Sequence, residues 1–434
     1  MKIEKLNNIS ASRYNKIINR CQEKIYPLVL HPAGQVVEDI RKNGNKALIK
    51  YIKKYEKIIF KPQQLLVNAA EIKNAYRNIA PGLLESIKLM IENVTAFYKC
   101  QLKNTNMGWQ KAFKDGYIAG QLLKPLEAIG VYVPGGMAVY PSTAVMGVVP
   151  ARIAGVKKIV IATPAGRKKR ISAAVLVAAH LAGADVILKA GGMQAIGAMA
   201  SGTETVPRVD KIIGPGNIWV SAAKLYVMIK NYAAIDFIAG PSELMIIADG
   251  NADSRFIARD MLAQSEHDPN SAAVLITISV KIAKEVQGLL KNMSAQSPRR
   301  KTIEASLGGY GAILVADNIG QAVSFADKYA PEHLQLMTAS PEKILKSVNN
   351  AGSIFLGEYT PVALGDYMSG TNHILPTGNS ARYTCGVNLE TFLRRPTFQA
   401  FTKRALNKMK APLIKLSEAE GLPEHGNSVK ERFF

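Results

Sequence analysis

The chain has 434 residues, 48% of them hydrophobic, which is the composition of a globular protein too long for one hydrophobic core. Its formal net charge of +22 would suit a nucleic-acid-binding protein, but the lysines are spread along predicted helix faces and no nucleic-acid-binding motif accompanies them, so nucleic acid is an unlikely partner. The three cysteines, Cys21, Cys100 and Cys385, are too few and too scattered for a disulfide framework or a zinc ribbon, so we expect a reducing, cytoplasmic setting.

The N-terminal quarter of the chain is predicted to be mainly helical. Apolar residues recur at helical spacing around Leu48, Tyr51 and Ile52, and again over residues 83–97. The first residues lack the apolar core of a secretory signal. We therefore expect a helical segment at the N-terminus and no targeting signal.

The middle of the chain alternates apolar strands with helices. Predicted strands cover residues 127–133, 158–163, 184–189 and 209–213. This alternation indicates a parallel sheet covered by helices on both faces. The carboxyl ends of such strands share one edge, where open parallel sheets bind ligands. The most apolar stretch, residues 171–188, contains polar residues and is interpreted as a helix and a strand of this set, not as a membrane span.

Three polar side chains stand at the ends of these strands, namely Tyr132, Gln194 and Asn217. The turns beside them are rich in glycine, but no Gly-x-Gly-x-x-Gly fingerprint follows any strand. A phenol and two amides can bind adenine, ribose or phosphate through neutral hydrogen bonds. Each residue alone could equally serve only to form its turn.

A second set of predicted strands covers residues 244–248, 273–279, 312–315, 333–337 and 353–356. Helical patterns separate most of these strands, and the C-terminal segment is predicted to be helical again. The fold class is therefore α/β, with two parallel-sheet, Rossmann-like domains that lack the usual glycine fingerprint and with helical N- and C-terminal segments.

Four of the six histidines fall in short words that also contain an amide or an acid. The words pair Gln264 with His267, Glu332 with His333, Asp366 with His373, and Glu420 with His425. Imidazole is both a common metal ligand and the usual proton carrier near neutral pH. A single site that holds a metal ion and a base would explain the concentration.

Each word also has a plainer interpretation. Gln264 and His267 share a helix face, but His267 could simply cap that helix. Adjacent residues of a regular strand point to opposite faces, so Glu332 and His333 serve one site only if the backbone is irregular, which Pro331 allows.

The remaining words are interpreted from their setting in the chain. Asp366 can ligate a metal from a loop, whereas His373 is favoured as a core histidine. Glu420 and His425 lie in the tail, where most residues are exposed, and His31 and His180 are interpreted as structural.

Taken together, these words resemble the histidinol dehydrogenase family. The resemblance runs from about Asp39 to Arg432. Besides the four histidine words, it rests on three stretches at predicted strand ends and on one before the second set of strands, namely Tyr132-Val133-Pro134-Gly135-Gly136, Gly191-Gly192-Met193-Gln194-Ala195-Ile196, Gly214-Pro215-Gly216-Asn217 and Ala239-Gly240-Pro241-Ser242-Glu243.

The resemblance implies a zinc- and NAD-dependent enzyme that oxidises L-histidinol through L-histidinal to L-histidine, the last step of histidine biosynthesis. It implies one zinc ion per subunit, with the ligands Gln264, His267, Asp366 and His425. It also implies NAD contacts at Tyr132, Gln194 and Asn217. Glu332 and His333 would be catalytic. The implied substrate contacts are Ser242, Gln264, His267, His333, Asp366, Glu420 and His425.

The resemblance further implies a homodimer in which the tail of one subunit completes the active site of the other. We predict a helical segment over residues 1–34, a discontinuous first domain over 35–131 and 243–387, an NAD-binding domain over 132–242, and a tail over 388–434. The chain departs from the family pattern at Gly44-Asn45 and Tyr55-Glu56, where Gly-Asp and Phe-Asp are usual, and neither departure falls on an implied site residue.

Three other functions remain open from the residues alone. One is an enzyme of the same superfamily that oxidises another small alcohol, such as a sulfonated diol. The second is a basic nucleic-acid-binding protein that keeps the fold without the activity, and the third is a metal-dependent hydrolase. The intact histidine words argue against the second, and the three cofactor-like strand ends argue against the third.

Overall fold

The computed structural model describes residues 1–20, 26–113, 116–135, 139–166, 169–238 and 240–434. Cys21, Gly136 and Ala239, which belong to features interpreted above, lie outside the described residues. Within the described ranges, no helix is long and apolar enough to cross a membrane.

The described residues of the N-terminal region form one short strand and four α-helices. Their bounds are β1 (Ile3–Lys5), α1 (Ala11–Ile18), α2 (Tyr26–Glu56), α3 (Ala69–Asn78) and α4 (Pro81–Lys103). Ser10 caps α1 by accepting a hydrogen bond from the backbone of Arg13, as expected for a hydroxyl at this position. The long helix α2 is broken at Gly44, whose φ of 50° lies in the left-handed region that favours glycine.

Three short strands follow the N-terminal helices, and they are β2 (Gly108–Ala112), β3 (Tyr117–Leu122) and β4 (Lys124–Pro125). They pair in antiparallel fashion with each other or with the C-terminal tail. The helix prediction for the N-terminal quarter is therefore correct up to α4 but does not extend across this segment.

The middle of the chain forms a five-stranded parallel sheet in the order β7-β6-β5-β8-β9. The elements are β5 (Ala128–Tyr132), α5 (Pro141–Ala154), β6 (Lys158–Thr163), α6 (Ala173–Ala182), β7 (Val186–Lys189), α7 (Gly192–Ser201), β8 (Lys211–Ile213), α8 (Ile218–Ile229) and β9 (Ala234–Ile235). All five residues of β5 are buried, as a strand covered on both faces requires.

The next part forms a six-stranded parallel sheet in the order β1-β12-β11-β10-β13-β14. The elements after β9 are β10 (Glu243–Ala248), α9 (Ser254–Ser265), β11 (Ala272–Thr277), α10 (Val280–Gln296), α11 (Arg300–Gly309), β12 (Ala312–Val315), α12 (Ile319–Tyr329), β13 (His333–Met337), α13 (Pro341–Leu345), β14 (Ser353–Leu356) and α14 (Val362–Tyr367).

The tail contains β15 (Leu393–Arg394), β16 (Thr397–Phe401), α15 (Lys403–Ala419) and α16 (Pro423–Lys430). The strand β15 pairs with β4 and β16 pairs with β3, so antiparallel strands tie the tail to the body of the chain. Single 3₁₀ turns lie at Leu6–Asn8, Pro62–Gln64, Ser380–Arg382, Leu389–Phe392 and Glu431–Phe433.

The predicted fold class is confirmed, because two parallel sheets with covering helices stand between helical termini. The central strand β10 shows the two-sided burial directly. Leu244 and Ile246 enter the apolar core on one face of the sheet, and Met245 and Ile247 enter the core on the other face. Successive side chains of a strand point to opposite faces, so both faces of the sheet are covered.

Two N-terminal helices pack on the five-stranded sheet. Val37 and Ile40 of α2, and Met90 and Val94 of α4, belong to the same apolar core as that sheet. Sequence periodicity identifies an amphipathic helix but not the sheet that it covers. The domain boundaries themselves stay a prediction.

The break at Gly44 gives a test of backbone strain. A β-carbon at Gly44 would contact the carboxylate of Glu204, which accepts a hydrogen bond from the Asn45 amide at 2.7 Å. We expect Gly44→Ala to lower the free energy of unfolding by about 1–3 kcal/mol, because positive φ disfavours side chains. The matched control is Gly82→Ala in the first turn of α4, where nothing lies within 4 Å, and it should be neutral or stabilising. Equal denaturant midpoints for both variants would contradict the strain.

Candidate functional site

The site lies where an edge of one sheet faces an edge of the other. Thr143, in the first turn of α5 after the carboxyl end of β5, is 3.1 Å through its Oγ1 from Nε2 of His373. On the six-stranded sheet the relevant residues precede or begin strands, as Ser242 precedes β10 and His333 begins β13. The carboxyl edge of the five-stranded sheet therefore meets the amino edge of the six-stranded sheet. Open parallel sheets usually bind ligands at their carboxyl edge, and of the two sheets only the five-stranded one follows this rule.

Glu332 and His333 point to one place, although they are neighbours in the chain. Ala330 adopts a left-handed conformation with a φ of 45°, and Glu332 lies just before the regular part of β13. As a result Oε2 of Glu332 lies 3.5 Å from Nδ1 of His333. The irregular backbone required for a shared site is present.

Burial shifts the proton affinity of both groups. Glu332 and His333 are each only 5% exposed. Burial, followed by the neighbouring Glu243 carboxylate, raises the pKa of Glu332 well above its usual range. Burial also lowers the pKa of His333, so that its imidazole is neutral near pH 7. A neutral imidazole can accept a proton from a substrate.

Three of the predicted metal donors lie on the body of the chain, and two of them, His267 and Asp366, act on His333. Gln264 lies at the end of α9, is 3% exposed, and has a buried Nε2 without a hydrogen-bond partner among the described residues. His267 follows the same helix and is exposed, and Asp366 lies half-buried on α14. The Asp366 carboxylate and the His267 ring both affect the pKa of His333, with the carboxylate raising it and the ring lowering it.

The donors fit a metal ion in type. An unpaired buried amide, an imidazole and a carboxylate form the mixed nitrogen and oxygen set that zinc accepts. In the part of the chain that the structure describes, no three His, Cys, Asp or Glu side chains converge as a metal site; the predicted set has only two such side chains on the body of the chain, besides the amide of Gln264.

The two predicted site residues of the tail are not brought to this cluster. Glu420 ends α15, His425 lies on α16, and both are exposed. The two tail helices bury few of their own side chains, namely Ala405, Ser417, Gly426 and Val429. Apolar residues such as Leu416 stay exposed on them. The tail therefore leaves its two polar site residues exposed.

The other histidines match their structural interpretations. Nδ1 of His373 lies 3.0 Å from the carbonyl of Asp366, so both of its ring nitrogens have partners. Its neighbour Asn372 donates to the Tyr98 hydroxyl of α4 at 3.0 Å and to the Met146 carbonyl of α5 at 2.8 Å. These bonds anchor the segment after α14 to both helices. His373 thus supports the segment that carries Asp366.

The exposed histidines have local partners on helices. His31 pairs with Gln35 at 3.0 Å and His180 with the Tyr76 hydroxyl at 2.9 Å, both at the protein surface.

The three predicted cofactor residues stand along the carboxyl edge of the five-stranded sheet. The Tyr132 hydroxyl accepts a hydrogen bond from the Gly192 amide at 2.9 Å, and burial raises its pKa to about 12. Asn217 caps α8 by accepting from the Trp219 amide at 3.1 Å. The N-termini of α5, α7 and α8 follow strands at this edge, and helix N-termini favour phosphate groups.

A buried ion pair that the sequence interpretation missed fixes the turn after β8. Gly214 has a φ of 111°, and a β-carbon there would meet the Tyr132 carbonyl. Lys224 donates to the Gly214 carbonyl at 3.0 Å and to Asp236, which itself accepts from the Gly214 amide at 2.8 Å. The signal was present in the sequence, since Lys224 is the only charged residue of the apolar helix α8.

A second missed residue is Glu56, at the end of α2. Its Oε1 accepts from the Gly191 amide at 3.0 Å and from Nε2 of Gln194 at 2.9 Å, while its buried Oε2 has no partner within the described ranges. Burial raises the pKa of Glu56. The departure from the family pattern at Tyr55-Glu56 thus lies directly beside a predicted cofactor residue.

Known proteins resemble this chain over its whole length. The model of the family described as histidinol dehydrogenase matches residues 22–433. A histidinol dehydrogenase of Methanosarcina barkeri is 43% identical over 433 residues, which is 100% of this chain and 98% of that protein. One of Methanothermobacter thermautotrophicus is 43% identical over 428 residues, or 99% of each chain. The crystal structure of histidinol dehydrogenase from Elizabethkingia anophelis is similar with a TM-score of 0.90 and 36% identity, covering 100% of this chain and 97% of that chain.

The burial of Glu332 predicts how stability depends on pH. The pKa of Glu332 is raised above 4.5 in the folded chain, so between the unfolded and folded pKa values the folded chain holds a proton that the unfolded chain has released. The free energy of unfolding therefore falls as pH rises through that range. Glu332→Gln removes that loss. With a chelator present, the free energy of unfolding of the variant should gain on that of the wild type as pH rises above 4.5. A constant difference in denaturation midpoint would contradict the burial of a proton at Glu332.

Proposed function

The chain belongs to the histidinol dehydrogenase family of oxidoreductases, and from this premise we propose that it oxidises L-histidinol through L-histidinal to L-histidine with two molecules of NAD⁺. One observation carries the finer proposal. A buried acid and a buried imidazole, Glu332 and His333, lie beside the donors His267 and Asp366 at the junction of the two sheets. Each of two oxidations needs a group that removes a proton while a hydride leaves, and this cluster provides two.

One zinc ion per subunit would be held by Gln264, His267, Asp366 and His425, with the first three from the body of the chain. The unpaired buried amide of Gln264 supports this assignment, since a buried polar group without a partner costs free energy unless a ligand satisfies it. When bound, zinc would hold the substrate and act as a Lewis acid at its oxygen. Ser242 and Glu420 would contact the substrate.

In the first oxidation His333 would take the proton of the substrate hydroxyl. Its Nδ1 faces the carbonyl of Glu243 at 2.9 Å, and a carbonyl can only accept, so Nδ1 carries the ring proton. The neutral ring then has Nε2 as its basic atom. The low pKa that burial gives to His333 keeps the ring in this form near neutral pH.

In the second oxidation Glu332 would take a proton from the water that adds to the aldehyde. Its raised pKa makes the ionised carboxylate a stronger base than an exposed glutamate. His333 would return its first proton to the carbonyl oxygen as the hydrate forms, and would then remove a hydroxyl proton of the hydrate as the second hydride leaves to NAD⁺. General-base assistance of this kind is worth about 10²–10⁴-fold.

NAD would lie along the carboxyl edge of the five-stranded sheet, in contact with Tyr132, Gln194 and Asn217. The helix N-termini at this edge suit its pyrophosphate, and NAD supplies the hydride acceptor for both steps. Since this edge faces the amino edge that carries His333, the cofactor and the base would reach one substrate from opposite sheets.

We further propose a homodimer in which the tail of one subunit completes the site of the other. The supporting observations are the exposure of Glu420 and His425 and the exposed apolar residues Leu416 of α15 and Leu422, just before α16. A second copy would supply His425 as the fourth ligand. The cytoplasmic location stays a prediction, which was made from the cysteines.

The direct test is the absorbance of NADH during incubation with histidinol and NAD⁺. Activity should be lost on chelation and should return when zinc is added back, since the ligand set holds the substrate through the metal. Metal content is measured in parallel. A chain without bound divalent ion that reduces no NAD⁺ with histidinol would overturn the proposal.

The role of His333 predicts a specific loss. His333→Asn should slow both oxidations by about 10²–10⁴-fold while zinc remains bound, because the side chain removes a proton in each step and is not a metal ligand. Glu332→Gln should slow the oxidation of histidinal at least as much as that of histidinol. Rates with each substrate, together with metal analysis, check both statements, and near-normal turnover of His333→Asn would refute the role.

The shared site predicts complementation between inactive variants. Asp366→Ala and His425→Ala homodimers should each be weakly active. After subunit exchange, a heterodimer would contain one site with both native residues, so a substantial part of the wild-type activity should return. The heterodimer is verified by differently tagged subunits. No recovery in a confirmed heterodimer would show that the tail serves its own chain.

A further inference from the structure

A buried ion pair lies directly behind the two proposed catalytic side chains. Arg20 donates from Nε to Oε1 of Glu243 at 2.9 Å and from Nη2 to Oε2, so the guanidinium grips the carboxylate with two hydrogen bonds. The side chains are 3% and 1% exposed. Glu243 also accepts from the Gly378 amide at 2.9 Å. The pair is therefore held away from solvent and nearly fixed in orientation.

The main chain of Glu243 contacts both catalytic residues. Its amide donates to Oε2 of Glu332 at 2.8 Å, and its carbonyl accepts from Nδ1 of His333 at 2.9 Å. The first residue of β10 thus determines where the carboxylate of one neighbour lies and which nitrogen of the other carries the proton. A shift of this residue would displace both groups together.

Arg20 also connects this strand to the segment that leads into Glu332. Its guanidinium stacks on the ring of Tyr329, 3.3 Å from the centroid, and donates to the carbonyl of Tyr329 at 3.3 Å. Tyr329 ends α12, three residues before Glu332. Arg20 further donates to Oδ1 of Asn379 at 2.6 Å. The N-terminal region thereby joins three separate parts of the chain around one carboxylate.

We propose that Arg20 and Glu243 are positioning residues, which fix the start of β10 so that its amide and carbonyl hold Glu332 and His333 in their working orientations. This inference rests on the proposed function. A purely structural ion pair would stabilise the fold without acting through the catalytic groups. The two possibilities differ in how the loss of activity caused by removing Arg20 combines with the loss caused by removing Glu332.

The test is a double-mutant cycle with histidinal as the substrate, the step that depends on Glu332. Arg20→Met should lower kcat on the order of 10²-fold and leave KM and zinc content nearly unchanged, because misplacement of a reacting group by about 1 Å has this effect. Arg20→Lys keeps the charge but not the paired hydrogen bonds and should be intermediate. Combined with Glu332→Gln, the Arg20→Met substitution should cause little further loss, since residues that act as a unit are not additive.

The matched control is Arg13→Met. Arg13 lies on α1 and pairs with Glu4 at 3.2 Å, so its loss disturbs the same N-terminal region without contacting Glu243. The factor by which Arg13→Met lowers kcat should multiply with the factor caused by Glu332→Gln. Denaturant unfolding of each variant reports stability. If Arg20→Met does not fold, the same cycle is run with Arg20→Lys.

Two failures are distinguishable. A wild-type chain that does not oxidise histidinol would contradict the proposed function. An active wild type in which the losses of Arg20 and Glu332 multiply in full would leave that function intact and overturn the positioning role. Strong non-additivity, together with partial rescue by Arg20→Lys, would support it.

Discussion

The site depends on the way the two sheets meet, with the carboxyl edge of one against the amino edge of the other. Interior strand positions are almost entirely apolar, so polar chemistry is confined to strand ends. Seven residues, 236–242, separate β9 from β10. The hydrogen bond between Thr143 and His373 joins the two edges directly. The base and the proposed cofactor surface can face one substrate because each sheet contributes a different kind of edge.

This arrangement requires charge to be buried where apolar packing would be more stable. Glu332 and Glu243 are buried carboxylates in contact through a backbone amide, and burial, followed by the nearby Glu243 carboxylate, raises the pKa of Glu332. Arg20 offsets the charge of Glu243, so that the second acid can remain in the core. Residues that lower local stability but hold chemistry in place are typical of functional sites.

The tail bears on the proposed homodimer. His267 and Asp366 act on the buried imidazole of His333, whereas His425 lies on a tail helix that buries only Gly426 and Val429. Antiparallel pairing of β16 with β3 anchors the tail to the body of the chain. In the proposed dimer a second copy would supply the fourth ligand and would cover the exposed apolar side chains.

The sequence by itself determined most strands and helices of the two parallel sheets and the family to which the chain belongs. Its apolar runs located β12, β13 and β14 at their observed bounds, and its histidine words marked the acid, the imidazole and the donors of the body. Only the tertiary structure decided which edges meet, that the N-terminal helices cover the five-stranded sheet, and that Glu56 lies beside Gln194. It also decided that Arg20 supports Glu243, 223 positions away. Local periodicity records which face of an element is apolar, but contacts between distant residues arise only when whole elements pack.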